Sequence, residues 1–323
     1  MWHESLVNDN RPYEEMINFA LGDSAPEIVV DLGCGEGKLL EAANRATPKS
    51  TLIGIDFNNR FSQNNIRYLS FDLNHLNNLP NNYWPNGIDL AMASHVLEHV
   101  INPVEFLRQI KKQLSPNGVI FIEVPDFSER HNIDSIGMSN LINLQHIHYF
   151  TADSLTYAAQ LAGLEVTKLT RVTTGYIPRL LVLLSPSQLE QICISTLKFN
   201  TADVICHYQA QCRALRSQLA NVLREKINQQ GKVGLWGIGA DFYNLINENT
   251  DLNKHISQGD IVLFDYILKD KEIQSQRILC SSNIPTFNYN VFMSPMLAET
   301  RIKMRAISRD WHNVIDYYFK ENE

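Results

Sequence analysis

"VVDLGCGEGKLL", Val29 to Leu40, decides the fold. Ile28, Val29 and Val30 form a β-branched run of the kind that makes a buried strand, and Lys38 to Arg45 has helical composition. Gly33, Gly35 and Gly37 therefore make a strand-to-helix turn. In an open parallel sheet such a turn lies at the carboxyl edge of the strands, where ligands bind. Glycine lets the main chain approach a ligand there with no Cβ in the way.

The order of the glycines points away from the usual dinucleotide turn. That turn reads G-x-G-x-x-G, its last glycine allowing tight helix packing beneath a pyrophosphate, whereas here Lys38 takes the sixth position. Asp31, just before the turn, suits an ammonium or sulfonium charge better than a phosphate. The next apolar run, "TLIGID" (Thr51 to Asp56), ends in an acid about twenty residues after the glycines, where a ribose hydroxyl pair is held. A third, "IRYLSFDLN" (Ile66 to Asn74), carries Asp72. Strands are predicted at Ile28 to Leu32, Thr51 to Ile55, Ile66 to Ser70, Ile88 to Ala93 and Val119 to Val124, alternating with helices in a doubly wound pattern. "SPNG" between Ile110 and Val119 predicts the break from helix to strand. Phe127 to Gln145 is polar, asparagine-rich and irregular.

The chain resembles the class I S-adenosylmethionine-dependent methyltransferases in "VVDLGCGEG", "GID", "FDLN", "IDLAMASHVLEHV" (Ile88 to Val100) and "LRQIKKQLSPNGVIFIEVPD" (Leu107 to Asp126). The resemblance covers roughly the first 185 residues. It implies S-adenosylmethionine as cofactor, with Asp31, Gly33, Cys34 and Gly35 bordering its methionine part and Gly37 completing the turn. It implies Asp56, followed by Phe57, at the ribose, Asp72 and Leu73 at the adenine edge, and Ser94 at the end of the fourth strand. Asp72 also fits an Asx cap on the following turn. The irregular stretch after Pro125 is where this family builds its acceptor pocket.

Two histidine groups stand out. "HVLEH", His95 to His99, matches the zinc-peptidase pattern H-x-x-E-H. No third ligand is marked downstream, and the segment lies where the methyltransferase resemblance has "LEH". A cap and packing role is the expectation, with no metal, although Glu98 and His99 could hold a weakly bound divalent ion. The second group, "NLQHIHYFTADSL" (Asn143 to Leu155), leads into a helix that Thr151 caps. His146, His148 and Tyr149 on that approach are the catalytic candidates, a histidine taking the acceptor's proton near neutral pH. The alternative is that they tie the loop to the sheet.

This second group also resembles the sugar C-methyltransferases, which carry His-Glu-His followed by Tyr-Phe. Here Ile147 stands in place of the glutamate, and the cysteine-rich zinc domain that precedes those enzymes has no counterpart. Both departures favour transfer to oxygen over transfer to carbon. The C-terminal half adds to the resemblance, because those enzymes end in a second Rossmann-like domain. A helical stretch from about Ser187 to Gln229 leads to "GKVGLWGIGADFYNLI" (Gly231 to Ile246), and "DIVLFD" (Asp260 to Asp265) and "YNVFMSP" (Tyr289 to Pro295) read as further strands. The turn is Gly237-x-Gly239-x-x-Phe242, without the third glycine. A helix N-terminus there could hold a diphosphate, with Asp265 near a ribose, or the domain could be architectural.

The expected fold is α/β: a methyltransferase domain over residues 1–185, a helical linker over 186–230 and a smaller Rossmann-like domain over 231–323, with Gly237, Gly239 and Asp265 as acceptor-binding candidates. The chain has 323 residues, beyond the usual size of one core. A formal charge of −7 and no lysine-arginine cluster argue against a nucleic-acid partner. No basic leader and no membrane-length apolar stretch appear, which gives a cytoplasmic expectation. The five cysteines lack any C-x-x-C pair, so neither disulfides nor a zinc site are signalled. The function expected is methyl transfer to a hydroxyl of a small polar acceptor, such as a nucleotide-linked sugar or surface-glycan precursor. Sugar C-methylation, a nicotinamide oxidoreductase and a non-catalytic cofactor-binding protein are the alternatives. The oligomeric state is left open.

Overall fold

The computed structural model of the chain describes residues 12–58, 65–79, 83–128, 146–173, 178–187, 201–296 and 298–318. Its described residues divide into two compact units, one holding those up to 128 and from 146 to 187, the other those from 202 onward.

In the first unit, α1 (Tyr13–Leu21) leads to β1 (Ile28–Leu32), α2 (Lys38–Ala46), β2 (Thr51–Asp56), β3 (Ile66–Ser70) and a 3-10 turn (Leu73–Asn78). Then come β4 (Ile88–Ser94), α3 (Pro103–Lys111), β5 (Leu114–Pro125), α4 (Ala152–Leu161), β6 (Leu164–Val172) and β7 (Arg179–Pro186). The seven strands lie in the order β3-β2-β1-β4-β5-β7-β6, with β7 antiparallel to both neighbours. Successive residues of a strand face opposite sides, so Val29 and Val30 enter two different cores, one under α1 and α2 and one under α3 and α4. Both faces are thus covered, which is why these strands read as unbroken apolar runs.

The expected strands are all present, and the fold is the Rossmann-like α/β fold read from the sequence. One boundary differs. "SPNG" does not separate α3 from its strand but interrupts β5 itself: Leu114 pairs with Ile88, and pairing resumes at Val119 opposite Leu90. Gly118 is required there, because a Cβ would run into the Ile88 carbonyl oxygen. At the same amino edge of the sheet, Asp89 Oδ2 accepts the Glu27 and Ile28 amides at 2.9 and 3.0 Å, and its Oδ1 accepts the Ser115 hydroxyl at 2.6 Å. Thr151 caps α4 as expected, in a reciprocal capping box with Ser154.

The second unit opens with α5 (Thr201–Gln230), followed by β8 (Val233–Trp236), α6 (Ala240–Glu248), α7 (Asp251–Gln258) and β9 (Ile261–Asp265). A small hairpin, β10 (Glu272–Ile273) and β11 (Gln276–Arg277), precedes β12 (Leu279–Cys280), β13 (Val291–Met293), α8 (Ala298–Ile307) and β14 (Val314–Ile315). The sheet is parallel throughout, in the order β12-β9-β8-β13-β14. The helix expected from Ser187 is described from Thr201, and residues 188–200 lie outside the described ones. No described helix is long and apolar enough to cross a membrane.

Candidate active site

In the first unit the strand order reverses between β1 and β4, and the carboxyl edge at that point is where an open α/β sheet receives its ligand. The glycine turn sits there. Gly33, Gly35 and Gly37 all take left-handed backbone conformations, with φ of 79°, 48° and 80°. Gly33 is closely backed by Val96 and Gly37 by Tyr68, so neither admits a Cβ, whereas a Cβ on Gly35 would meet nothing within 4 Å. The turn is packed from behind and bare in front. Cys34 is buried, its sulfur 2.8 Å from where a Cβ on Gly54 would stand. Asp31 is buried in the strand below.

Asp56 ends β2, and its Oδ2 accepts the Gly35 amide at 3.0 Å. Its Oδ1 accepts the Asn58 amide at 3.1 Å. The Asn58 side-chain amide donates to the same oxygen at 3.2 Å. A carboxylate has about four acceptor positions, so one is open on Oδ2, and a second opens if the Asn58 side chain turns away. Phe57 beside it is 77% exposed. Asp72 is the cap of the 3-10 turn: Oδ1 accepts the Asn74 amide at 2.9 Å. Backbone and side-chain hydrogen bonds from Asn74 hold its carboxyl below the ordinary value. Leu73 packs against the core, its Cδ1 3.6 Å from where a Cβ on Gly33 would stand. The Ser94 hydroxyl turns away to the buried Glu123 carboxylate, which pairs with the buried Arg179 at 3.0 Å.

The two histidine groups, far apart in sequence, come together. β4 leads into His95, which adopts φ 54°, a conformation uncommon for a residue with a side chain. Its Nδ1 lies 3.0 Å from Glu98 Oε1. The Glu98 carbonyl accepts the amides of Ile147 and His148 at 3.0 and 3.1 Å. His148 Nε2 is 3.0 Å from the Val100 carbonyl; since a carbonyl only accepts, that nitrogen carries the proton. These three bonds pin residues 147–148 along the start of the α3 connection. They set His146 against His99, with ring centroids 4.8 Å apart. His148 thus ties the loop to the segment that follows β4, and His146 lies beside His99. Tyr149 packs edge-on to Phe127 at 5.0 Å, and burial pushes its phenol up. Residues 129–145, including most of the irregular stretch, lie outside the described ones.

Glu98, His99 and His146 have donor atoms all within 4.8 Å of one another. Burial pushes the Glu98 carboxyl up, but the hydrogen bond and charge of His95 and the charge of His99 outweigh it and hold it below the ordinary value. Read in isolation, "HVLEH" gave Glu98 and His99 without their partner. The Glu123 and Arg179 pair was also missed; its signal was one charged residue inside each of two apolar strands, "VIFIEV" and "PRLLVLL".

In the second unit the corresponding turn is engaged by the chain's own groups. Asp265 Oδ2 accepts the Ile238 amide at 2.8 Å, and its Oδ1 accepts those of Ile267 and Leu268 at 2.8 and 2.9 Å. Gly237 has φ 96°, and a Cβ on it would lie 2.9 Å from Pro295. Gly239 faces open space, and Asp241, in the first turn of α6, accepts the Met296 amide at 2.8 Å.

Residues 6–169, half of the chain, match the family described as a methyltransferase domain. The chain belongs to this methyltransferase family. Its first unit is an S-adenosylmethionine-dependent methyltransferase domain, with S-adenosylmethionine as cofactor. The bare front of Gly35 leaves room for that cofactor, and Asp56, at the same turn, is the acid that would hold its ribose hydroxyls. Among curated relatives, the mitochondrial ubiquinone biosynthesis O-methyltransferase of Dictyostelium discoideum is 31% identical over 109 residues, 29% of this chain and 34% of that protein. Trans-aconitate 2-methyltransferase of Rhodopseudomonas palustris is 30% identical over 105 residues, 31% of this chain and 40% of that one. The chain spans about a third to two fifths of the length of the curated relatives it matches. Among solved structures, a plantazolicin methyltransferase in complex with a pentazolic desmethylPZN analogue and S-adenosylhomocysteine superposes at TM-score 0.45 and 16% identity, over 56% of this chain and 88% of that one.

Proposed function

We propose that the methyltransferase carries the methyl group of S-adenosylmethionine to a hydroxyl oxygen of a small polar acceptor lying against His99, His146 and Tyr149. The observation that carries this reading is the tethering of residues 147–148 to Glu98, which brings polar, titratable side chains to the end of β4, beside the glycine turn. Bound S-adenosylmethionine supplies an electrophilic methyl on a positively charged sulfur. The C–S bond breaks with its electron pair left on sulfur, a C–O bond forms, and the acceptor's proton passes to His146. The protein contributes alignment and the proton's destination. Ile147 offers no carboxylate for carbanion chemistry, which supports oxygen over carbon. The nucleotide-sugar acceptor is the narrower form of this reading; any diphosphate at Gly239 would meet the Asp241 carboxylate, so we infer that the acceptor is held by the first unit.

The test is calorimetric titration with S-adenosylhomocysteine and with NAD, followed by transfer of labelled methyl to a panel of diols, hydroxy acids, phenols and nucleotide sugars. Binding of S-adenosylhomocysteine alone and labelling of an oxygen are expected. His146→Ala should lower turnover by about 10²–10⁴-fold with cofactor affinity unchanged. Binding of NAD alone, or label on carbon, refutes the reading.

A further inference from the structure

We propose that Glu98, His99 and His146 form a site for a first-row transition dication of the zinc class, which takes the acceptor's oxygen as a further ligand. The site is built from both ends of the tethered segment. Glu98 is 1% exposed and His99 36%, so a buried anion faces a solvent-reachable imidazole. Glu98 Oε1 takes the hydrogen bond from His95, while its buried Oε2 has no hydrogen-bond partner among the described residues. A buried carboxylate oxygen left without a donor is costly, and a cation is the partner its charge calls for.

The donor set names the metal. Two imidazoles and one carboxylate suit zinc and its neighbours, whereas magnesium and calcium take oxygen ligands. Three protein ligands with open positions is the arrangement of catalytic rather than structural sites. Metal–donor distances of about 2.1 Å place donor atoms roughly 3–3.5 Å apart. The separations here, 3.9 Å between His99 Nε2 and Glu98 Oε1 and up to 4.8 Å overall, close to that by rotation of the half-exposed imidazoles. His95 supports the site from behind by donating to the ligating carboxylate, and its left-handed backbone turns the ring to Glu98.

The inference rests on the proposed reaction for its purpose and reassigns one step. With an ion held through His146, the ion's charge makes the acceptor hydroxyl more acidic, and its proton passes to solvent water. Methyl transfer to that oxygen is otherwise as written above. A bidentate acceptor, with a second oxygen adjacent to the methylated one, is the substrate class this favours.

The experiment uses the full chain stripped of metal by chelation and dialysis. Zinc titration by calorimetry should give one equivalent bound. Cobalt(II) should give visible d–d absorption that zinc displaces and excess magnesium does not. His99→Ala and His146→Ala, both outside the core, should each weaken zinc by more than about tenfold while S-adenosylhomocysteine affinity stays within twofold. Glu98→Gln repeats the test at the buried ligand. No stoichiometric zinc, or zinc unaffected by both histidine variants, overturns the site. Activity that depends on His146 yet survives chelation overturns the site and leaves the proposed reaction standing. Absence of S-adenosylhomocysteine binding defeats the proposed reaction, whatever the zinc result.

Discussion

The two strand–turn–helix segments begin alike. Gly33 and Gly237 each follow the central strand where the strand order reverses, each donates its amide to the neighbouring strand, to Ile55 at 2.7 Å and Phe264 at 3.0 Å, and each is backed by the segment leaving the strand across the crevice. The next residue of that neighbour is an acid in both, Asp56 and Asp265, gripping a turn amide. They diverge at the helix. α2 begins at Lys38, five positions after Gly33, and α6 begins at Ala240, three after Gly237. The shorter turn brings α6 forward, and its Asp241 is bound to the chain leaving β13. Topology therefore locates a crevice, while turn length and the first helical side chains set which groups border it.

Gly35→Val and Gly239→Val press this contrast hardest. Both glycines face open space, but only the first should border a cofactor. S-adenosylhomocysteine affinity should fall by more than about a hundredfold, roughly 2.7 kcal/mol, in the first variant, and stay within twofold in the second. Calorimetry decides it, with circular dichroism as the folding control; equal losses erase the distinction.

The paired acids give a middling effect of two different kinds. Asp56→Ala should cost at least about tenfold in S-adenosylhomocysteine affinity, through loss of charge-assisted hydrogen bonds. Asp265→Ala should leave that affinity alone and lower the denaturant midpoint of the second unit, on the order of 2 kcal/mol for the amides it abandons. A loss of cofactor affinity in Asp265→Ala breaks the comparison.

The smallest handle acts on the second unit alone. Arg224 bonds Asp251 through two contacts of 2.7 Å, and the hydrogen bond from Arg224 holds the Asp251 carboxyl below its ordinary value. A depressed folded value means the stabilisation is present above the unfolded value, near ~3.9, and is lost as pH falls through the folded one. Because the pair is half exposed, Asp251→Asn should cost under about 0.5 kcal/mol at neutral pH. The gap between variant and wild-type melting should close in acid.

Much of this was legible in sequence because it is local. The glycine turn, the acids two strands apart and the Thr151 cap are each set by a few neighbouring residues. What was not legible depends on pairing. "SPNG" reads as a helix stop on its own chemistry, and only the pairing of Ile88 with Leu114 shows that it lies inside a strand. His146 meets His99 through backbone bonds to the Glu98 carbonyl, which leave no trace in side-chain pattern. Asp265 matches the spacing of a ribose-binding acid, and spacing does not show the three backbone amides that it accepts.

The Asp89 clasp at the amino edge carries a meaning in time. The amides of Glu27 and Ile28 are held by a side chain of β4, which also grips Ser115 of β5. They exchange their hydrogens with solvent when the Asp89 side chain lets go, so they follow the opening of the amino edge. The Gly35 amide, held by Asp56 at the opposite edge, follows the breathing of the ligand turn instead. Their two exchange rates form a clock pair, and a bound cofactor should slow the second hand far more than the first.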